Sequence, residues 1–146
     1  MAVTAKWYGV PIQNLVNGTR LWDWDTDTIK CMLCNSSYAP NQDTHQTRAD
    51  VSNEVSGAGY TAGGTALTTK VVSYDTASNE VRLDADDATW AAATFTARYG
   101  VVYKDTGTPA TSPLIGYIDF GADQSVSGAT FTIQWDPTGV LKITAS

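Results

Sequence analysis

Two cysteines three positions apart, Cys31-Met32-Leu33-Cys34, are the first residues in the chain whose types and spacing suggest chemistry. A CxxC pair exchanges disulfides or grips a metal when both sulfurs converge, as they do at the start of a helix. Here the pair ends the run Ile29-Lys30-Cys31-Met32-Leu33-Cys34, which reads as a strand, and in a strand positions i and i+3 face opposite ways. Two inert thiols are expected, Cys31 a small core residue and Cys34 near the strand end. Asp23, Asp25 and Asp27 alternate with Trp22, Trp24 and Thr26 at the spacing that opens a calcium loop, but the loop's glycine and distal glutamate are missing. The simpler reading is a strand edge with Trp inward and Asp outward. His45, the one histidine, sits among Asp43, Thr44 and Gln46 and reads as a local hydrogen-bonding group. Gly57-Ala58-Gly59-Tyr60-Thr61-Ala62-Gly63-Gly64 lacks the Lys-Ser/Thr of a phosphate loop and reads as a surface loop able to lie flat against a neighbouring protein. No nucleophile stands in an elbow or triad setting. The expectation is a protein that is not an enzyme and needs no metal or cofactor.

The elements that must position these residues are strands. In Thr94-Phe95-Thr96-Ala97-Arg98-Tyr99-Gly100-Val101-Val102-Tyr103-Lys104 the odd positions are Phe, Ala, Tyr, Val and Tyr, which predicts one core face and one wet face. Phe131, Ile133 and Trp135 alternate with Thr130, Thr132 and Gln134 in the same way across residues 129–135. Further strands are predicted at residues 3–8, 28–34, 67–74, 80–84, 114–120 and 140–144, each β-branched or aromatic and bounded by turn residues. About eight short strands joined by hairpins and a few crossovers predict an all-β, antiparallel β-sandwich or partly closed barrel. Two short helical pieces are expected within it. Residues 11–18 carry Pro at the first turn and Gly past the last, and should plug one end of the sandwich. Residues 47–55 pair Thr47 with Asp50 as a cap and Val51 with Val55 four apart.

At 146 residues and 42% apolar content the chain has the size of one domain, 1–146, interrupted by an extended surface loop at 35–66. Nine basic residues against fifteen acidic ones give a net charge of -6, which argues against nucleic acid and anionic membranes as partners. Thirteen of the acids are Asp, a turn residue, so the charge is expected over loops. No apolar run has the length of a membrane span, and the start lacks the order of a signal peptide, which predicts a chain made in the cytoplasm. Among the tryptophans, Trp7 and Trp135 read as core, whereas Trp22 and Trp24, if exposed, would suit a carbohydrate-binding β-sandwich module.

The polar stretch Ser36-Ser37-Tyr38-Ala39-Pro40-Asn41-Gln42-Asp43-Thr44-His45, the run from Asn53 to Gly64, and the shorter segments Asp25 to Lys30, Ala97-Arg98-Tyr99, Tyr103 to Gly107 and Ser112 to Tyr117 together resemble a family of small virion proteins of tailed bacteriophages. The resemblance covers most of the chain, best from about Trp24 onward. The chain departs from it at Gln46-Thr47-Arg48-Ala49, where members carry an aromatic-acidic stretch, and at Cys31, where an aliphatic residue is expected. The resemblance implies a structural protein of the virion, made in the host cytoplasm. It implies a capsid decoration or cement protein on the outside of the head, with a neck, tail or fibre protein as the alternative. Its partners would be the major capsid protein or another virion protein, and possible further copies of itself. The contact would run through residues 38–64, with Tyr38, Pro40, Asn41, His45, Arg48 and Tyr60 as the candidate contact residues.

Overall fold

The computed structural model describes residues 3–145. Eight strands form two antiparallel sheets, and neither closes into a barrel. They are β1 (Thr4–Trp7), β2 (Ile29–Cys34), β3 (Thr65–Ala66), β4 (Val71–Asp75), β5 (Glu80–Asp84), β6 (Ala88–Lys104), β7 (Leu114–Ile133) and β8 (Leu141–Thr144), with one helix, α1 (Gly9–Val16). The larger sheet has the order β1-β7-β6-β2-β3 and the smaller one β4-β5-β8. The helix is not long and apolar enough to cross a membrane.

The strands differ from the sequence expectation where bulges intervene. Residues 114–120 and 129–135 are expected as two separate strands. They belong to one strand, β7, up to Ile133. Gly121 takes φ +78° and its N–H bonds Asp119 Oδ1 at 2.8 Å, so the chain bulges and continues. Across this bulge β6 advances from Ala97 to Tyr99 while its partner steps from Gln124 to Asp119.

The same irregularity overturns the expected wet face of β6. Phe95 and Ala97 face one core, but after the bulge Val101 and Tyr103 face another, and Val102 returns to the first. Both sides of the second half are therefore covered. Of the expected strand at 67–74 only the part from Val71 forms, as β4, because Thr69 turns at φ 52° and its hydroxyl bonds Asp86; β3 lies before it at Thr65–Ala66.

Between the sheets lies an inner core in which Ile29, Cys31, Leu33, Val102 and Ile118 of the large sheet meet Leu83 and Leu141 of the small one. On the outer face of the large sheet a second core gathers Met32, Cys34, Val101, Tyr103, Leu114 and Tyr117 under Tyr8 and Tyr38. Cys31 and Cys34 thus point into different cores, as the strand geometry requires, and both are buried free thiols. Burial drives the Cys31 thiol far up and the Cys34 thiol up to about 12.

The Asp23 to Asp27 stretch is a turn and not a strand edge. The Asp23 carboxylate accepts the N–H groups of Asp25 and Thr26, the Asp23 carbonyl accepts that of Asp27, and the Asp27 carboxylate accepts that of Asp23. Four short local bonds outcompete extension here because Asp offers the backbone its own acceptor. Asp27 also pairs with Lys104 at 2.9 Å. The inward direction of Trp24 holds, since it is 2% exposed.

Candidate functional site

Residues 35–64 leave the end of β2, cross the outer face of the large sheet, and return along its other side. Turn chemistry starts the path: Asn35 Oδ1 accepts the Ser37 N–H, and the Asn41 side chain accepts those of Asp43 and Thr44. Apolar and aromatic residues then pin it to the sheet.

Tyr38 is 2% exposed and lies in the outer core. Its hydroxyl is 2.7 Å from that of Tyr8 and 3.0 Å from His45 Nδ1, so three side chains from distant parts of the chain form one hydrogen-bonded line. Burial raises both phenol pKa values. His45 also stacks on the Tyr38 ring at 5.7 Å. α1 closes this end from the side, where the Gly9 N–H bonds the Gln42 carbonyl and Asn14 reaches Gln46. The helix thus packs against the excursion.

The expected helix at 47–55 shrinks to one tight turn, Arg48–Asp50. The Thr47 and Asp50 capping box does form. Against the opposing effect of partial burial, the Thr47 and Gln46 N–H groups hold the Asp50 carboxyl below its ordinary pKa. From Val51 onward strand pairing wins: the Val55 N–H bonds the Leu33 carbonyl, and Glu54 bridges Cys34.

Glu54 is the hub of the return path. Its Oε1 accepts the Tyr60 hydroxyl at 2.7 Å and the Gly63 N–H at 2.5 Å, and Oε2 lies 3.7 Å from Arg48 Nη2. The Arg48 guanidinium covers the Tyr103 ring at 5.5 Å, and the Tyr103 hydroxyl donates to the Gly63 carbonyl at 2.7 Å. The glycines do lie flat, but against their own sheet. A Cβ at Gly57 would strike the Thr94 carbonyl, one at Gly59 the backbone of residues 91–93, and one at Gly64 the Cys31 carbonyl.

Of the six residues proposed from sequence, Tyr38, His45, Arg48 and Tyr60 therefore hold the excursion in place. Pro40 is half-buried, and Asn41 is exposed but spends its side chain on a turn. The exposed tip is residues 41–44, with Ser36, Ser37 and Ala39 beside it. Sequence reasoning missed Tyr8, Glu54 and Tyr103. Glu54 carried a signal, being one of two glutamates in a chain of thirteen aspartates, whereas Tyr8 and Tyr103 look like any inward strand residue.

Two further surface features stand apart. A cleft of about 740 Å³ opens between β1 and β8, lined by Trp7, Ile118, Ile133, Trp135 and Leu141 with Asp136 and Lys142 among its polar residues. On the small sheet, Val72, Tyr74 and Ile143 are exposed. Among the described residues no group of three or more His, Cys, Asp or Glu is placed to hold a metal ion. No family model, curated protein or solved structure matches this chain.

Proposed function

We propose that this chain is a non-enzymatic structural component of a tailed-phage virion, bound to the outside of the head as a decoration protein and made in the host cytoplasm. Beyond the resemblance in its segments, one observation carries the reading: the long excursion is anchored at Tyr38, His45, Arg48, Glu54 and Tyr60, leaving a preformed exposed tip at residues 41–44. A loop already ordered in the free protein loses little conformational entropy on docking, so a small contact repeated over a shell still adds to its stability. The Asp-rich surface keeps unassembled copies soluble.

The carbohydrate-binding alternative asked for exposed Trp22 and Trp24. Trp24 is buried with its indole N–H on the Asp84 carbonyl, and Trp22 is half-buried, stacked on Trp7 at 6.5 Å. No ring pair is left free there to stack on sugar.

The deciding experiment counts this protein against the major capsid protein in purified virions by quantitative mass spectrometry. A simple fraction of the capsid count is the expected result. A far lower ratio would move the protein to the neck, tail or fibres, and its absence would overturn the virion reading. Replacing Asp43 and Thr44 by Gly and Ser should weaken incorporation while leaving the unfolding temperature nearly unchanged, because Asn41 keeps its turn, Gln42 keeps its bond to the Trp7 carbonyl, and none of the anchors is touched.

A further inference from the structure

The smaller sheet has one face that is apolar throughout and one that is polar except for Val71. Its register aligns Tyr74, Val81 and Ile143 in one cross-strand row and Val72, Leu83 and Leu141 in the next, all on the same side. Leu83 and Leu141 are buried in the inner core, but Val72, Tyr74 and Ile143 remain 42%, 52% and 46% exposed. The polar tip of Tyr74 is already satisfied, its hydroxyl donating to Asn79 Oδ1 at 3.1 Å. The row therefore runs out of the core to β4, the outermost strand, and stops there uncovered.

The outer edge of β4 is also open. β8 has the carbonyl of Lys142 taken by the Trp7 indole, and β1 has the carbonyl of Trp7 taken by Gln42. Among the described residues no side chain or loop bonds the backbone of β4 from its outer side. An uncapped β-branched edge is a template for strand pairing.

We propose that the partner of this edge is a second copy of the same chain, paired antiparallel through β4 about a two-fold axis at Ser73. The strand Val71-Val72-Ser73-Tyr74-Asp75 is self-complementary about its centre. With Ser73 opposite its own equivalent, Val72 of each copy faces Tyr74 of the other, and direct neighbours share a face of the sheet. The apolar row becomes continuous across six strands, from Ile143, Val81 and Tyr74 of one copy to Val72, Leu83 and Leu141 of the other.

Charge allows it. At a net charge of -6 two copies repel over most orientations, yet Asp75, the carboxylate carried by β4, lies 2.7 Å from Arg82, which Glu80 shares at 3.0 Å, so the two acids at this edge leave one net negative charge between them. A five-residue edge with a few side chains falls short of the roughly 1,200 Å² at which stable interfaces begin. The dimer is accordingly a concentration-dependent one, favoured where copies are held side by side. This inference rests on the small sheet alone and stands or falls separately from the virion reading.

Sedimentation equilibrium of the purified full chain over rising concentration tests it. The expected result is a mass rising from 15.6 kDa toward twice that value. Val72→Asp and Tyr74→Lys should each weaken self-association at least tenfold, and mixing the two variants should restore a heterodimer, because position 72 meets position 74 of the partner only in this register. Ser73→Cys should give a reducible dimer on mild oxidation, faster than Ser125→Cys as an exposed control, while the buried native thiols stay silent. Unchanged circular dichroism would certify that each variant folds. A monomer at every concentration, or cross-linking no faster than the control, would overturn the proposal.

Discussion

Replacing Tyr38 by Phe should cost far more than replacing Tyr8 by Phe, although each change removes a single hydroxyl from the same buried line. Tyr38 sits in the middle, 2.7 Å from the Tyr8 oxygen and 3.0 Å from His45 Nδ1. Tyr8→Phe deletes an end, so Tyr38 keeps His45 and the loss is one net hydrogen bond, about 1 kcal/mol. Tyr38→Phe deletes the link in either direction of the protons. Two bonds go, and the Tyr8 hydroxyl, on a side chain with no exposure, has no other partner. An unsatisfied buried hydroxyl adds about 1–3 kcal/mol, which brings the total to about 3–5 kcal/mol. In a chain of this length each kcal/mol shifts the unfolding temperature by about 2–4 °C. The assay is thermal and urea unfolding followed by circular dichroism on both single variants and the double. In the Tyr38→Phe background, Tyr8→Phe should be stabilising by about 1–3 kcal/mol, because it removes the orphaned group, giving a coupling of about 2–4 kcal/mol. Equal single costs that simply add would refute the idea that the three side chains act as one anchor.

The two CxxC thiols should ignore a water-soluble thiol reagent at pH 8 in the native protein, since burial pushes the Cys34 thiol up to about 12 and both side chains are enclosed, and both should react once the chain is unfolded in guanidinium. Gly64→Ala should prevent stable folding at 37 °C, because its Cβ would run into the Cys31 carbonyl at φ +78°; Gly18→Ala, at φ +76° in open space, should cost about 1 kcal/mol by urea titration. Acid should unfold the protein through its paired carboxylates. The Lys30 ammonium holds Asp105 below its ordinary value and the Arg98 guanidinium does the same for Asp119. A depressed folded-state pKa contributes stability above the unfolded value of about 4 that fades as pH falls through the folded one. Asp105→Asn should flatten the loss of stability measured between pH 5 and pH 2.

Much of the fold was legible because period-two alternation is a local property. Phe131, Ile133 and Trp135 face inward as their spacing says, β5 runs from Glu80 to Asp84 as its residues say, and the hydroxyl and carboxylate of Thr47 and Asp50 find the cap that their spacing allows. The opposition of Cys31 and Cys34 was equally visible, since it needs nothing but the pleat of one strand. The candidate site was legible only in outline. A polar, glycine-rich excursion between two strands was plain, but not which of its residues point in.

Alternation says that two faces differ and cannot say what covers them. Whether Tyr38 is a contact residue or an anchor depends on Tyr8, thirty residues away, and whether Gly57 meets a partner or its own sheet depends on Thr94. Bulges decide the rest. At Gly121 the chain bulges but stays in the strand because β6 continues beside it, and the step at Ala97 to Tyr99 exchanges the faces of β6, turning an expected wet side into the floor of a second core. The charge, the alternation of single strands such as β5 and the opposition of the two cysteines follow from neighbours along the chain, and so were readable without the fold. The two cores, the anchored excursion and the open edge of β4 were decided only in the tertiary structure, because each depends on which distant backbone is present to fill or leave empty the other half of a contact.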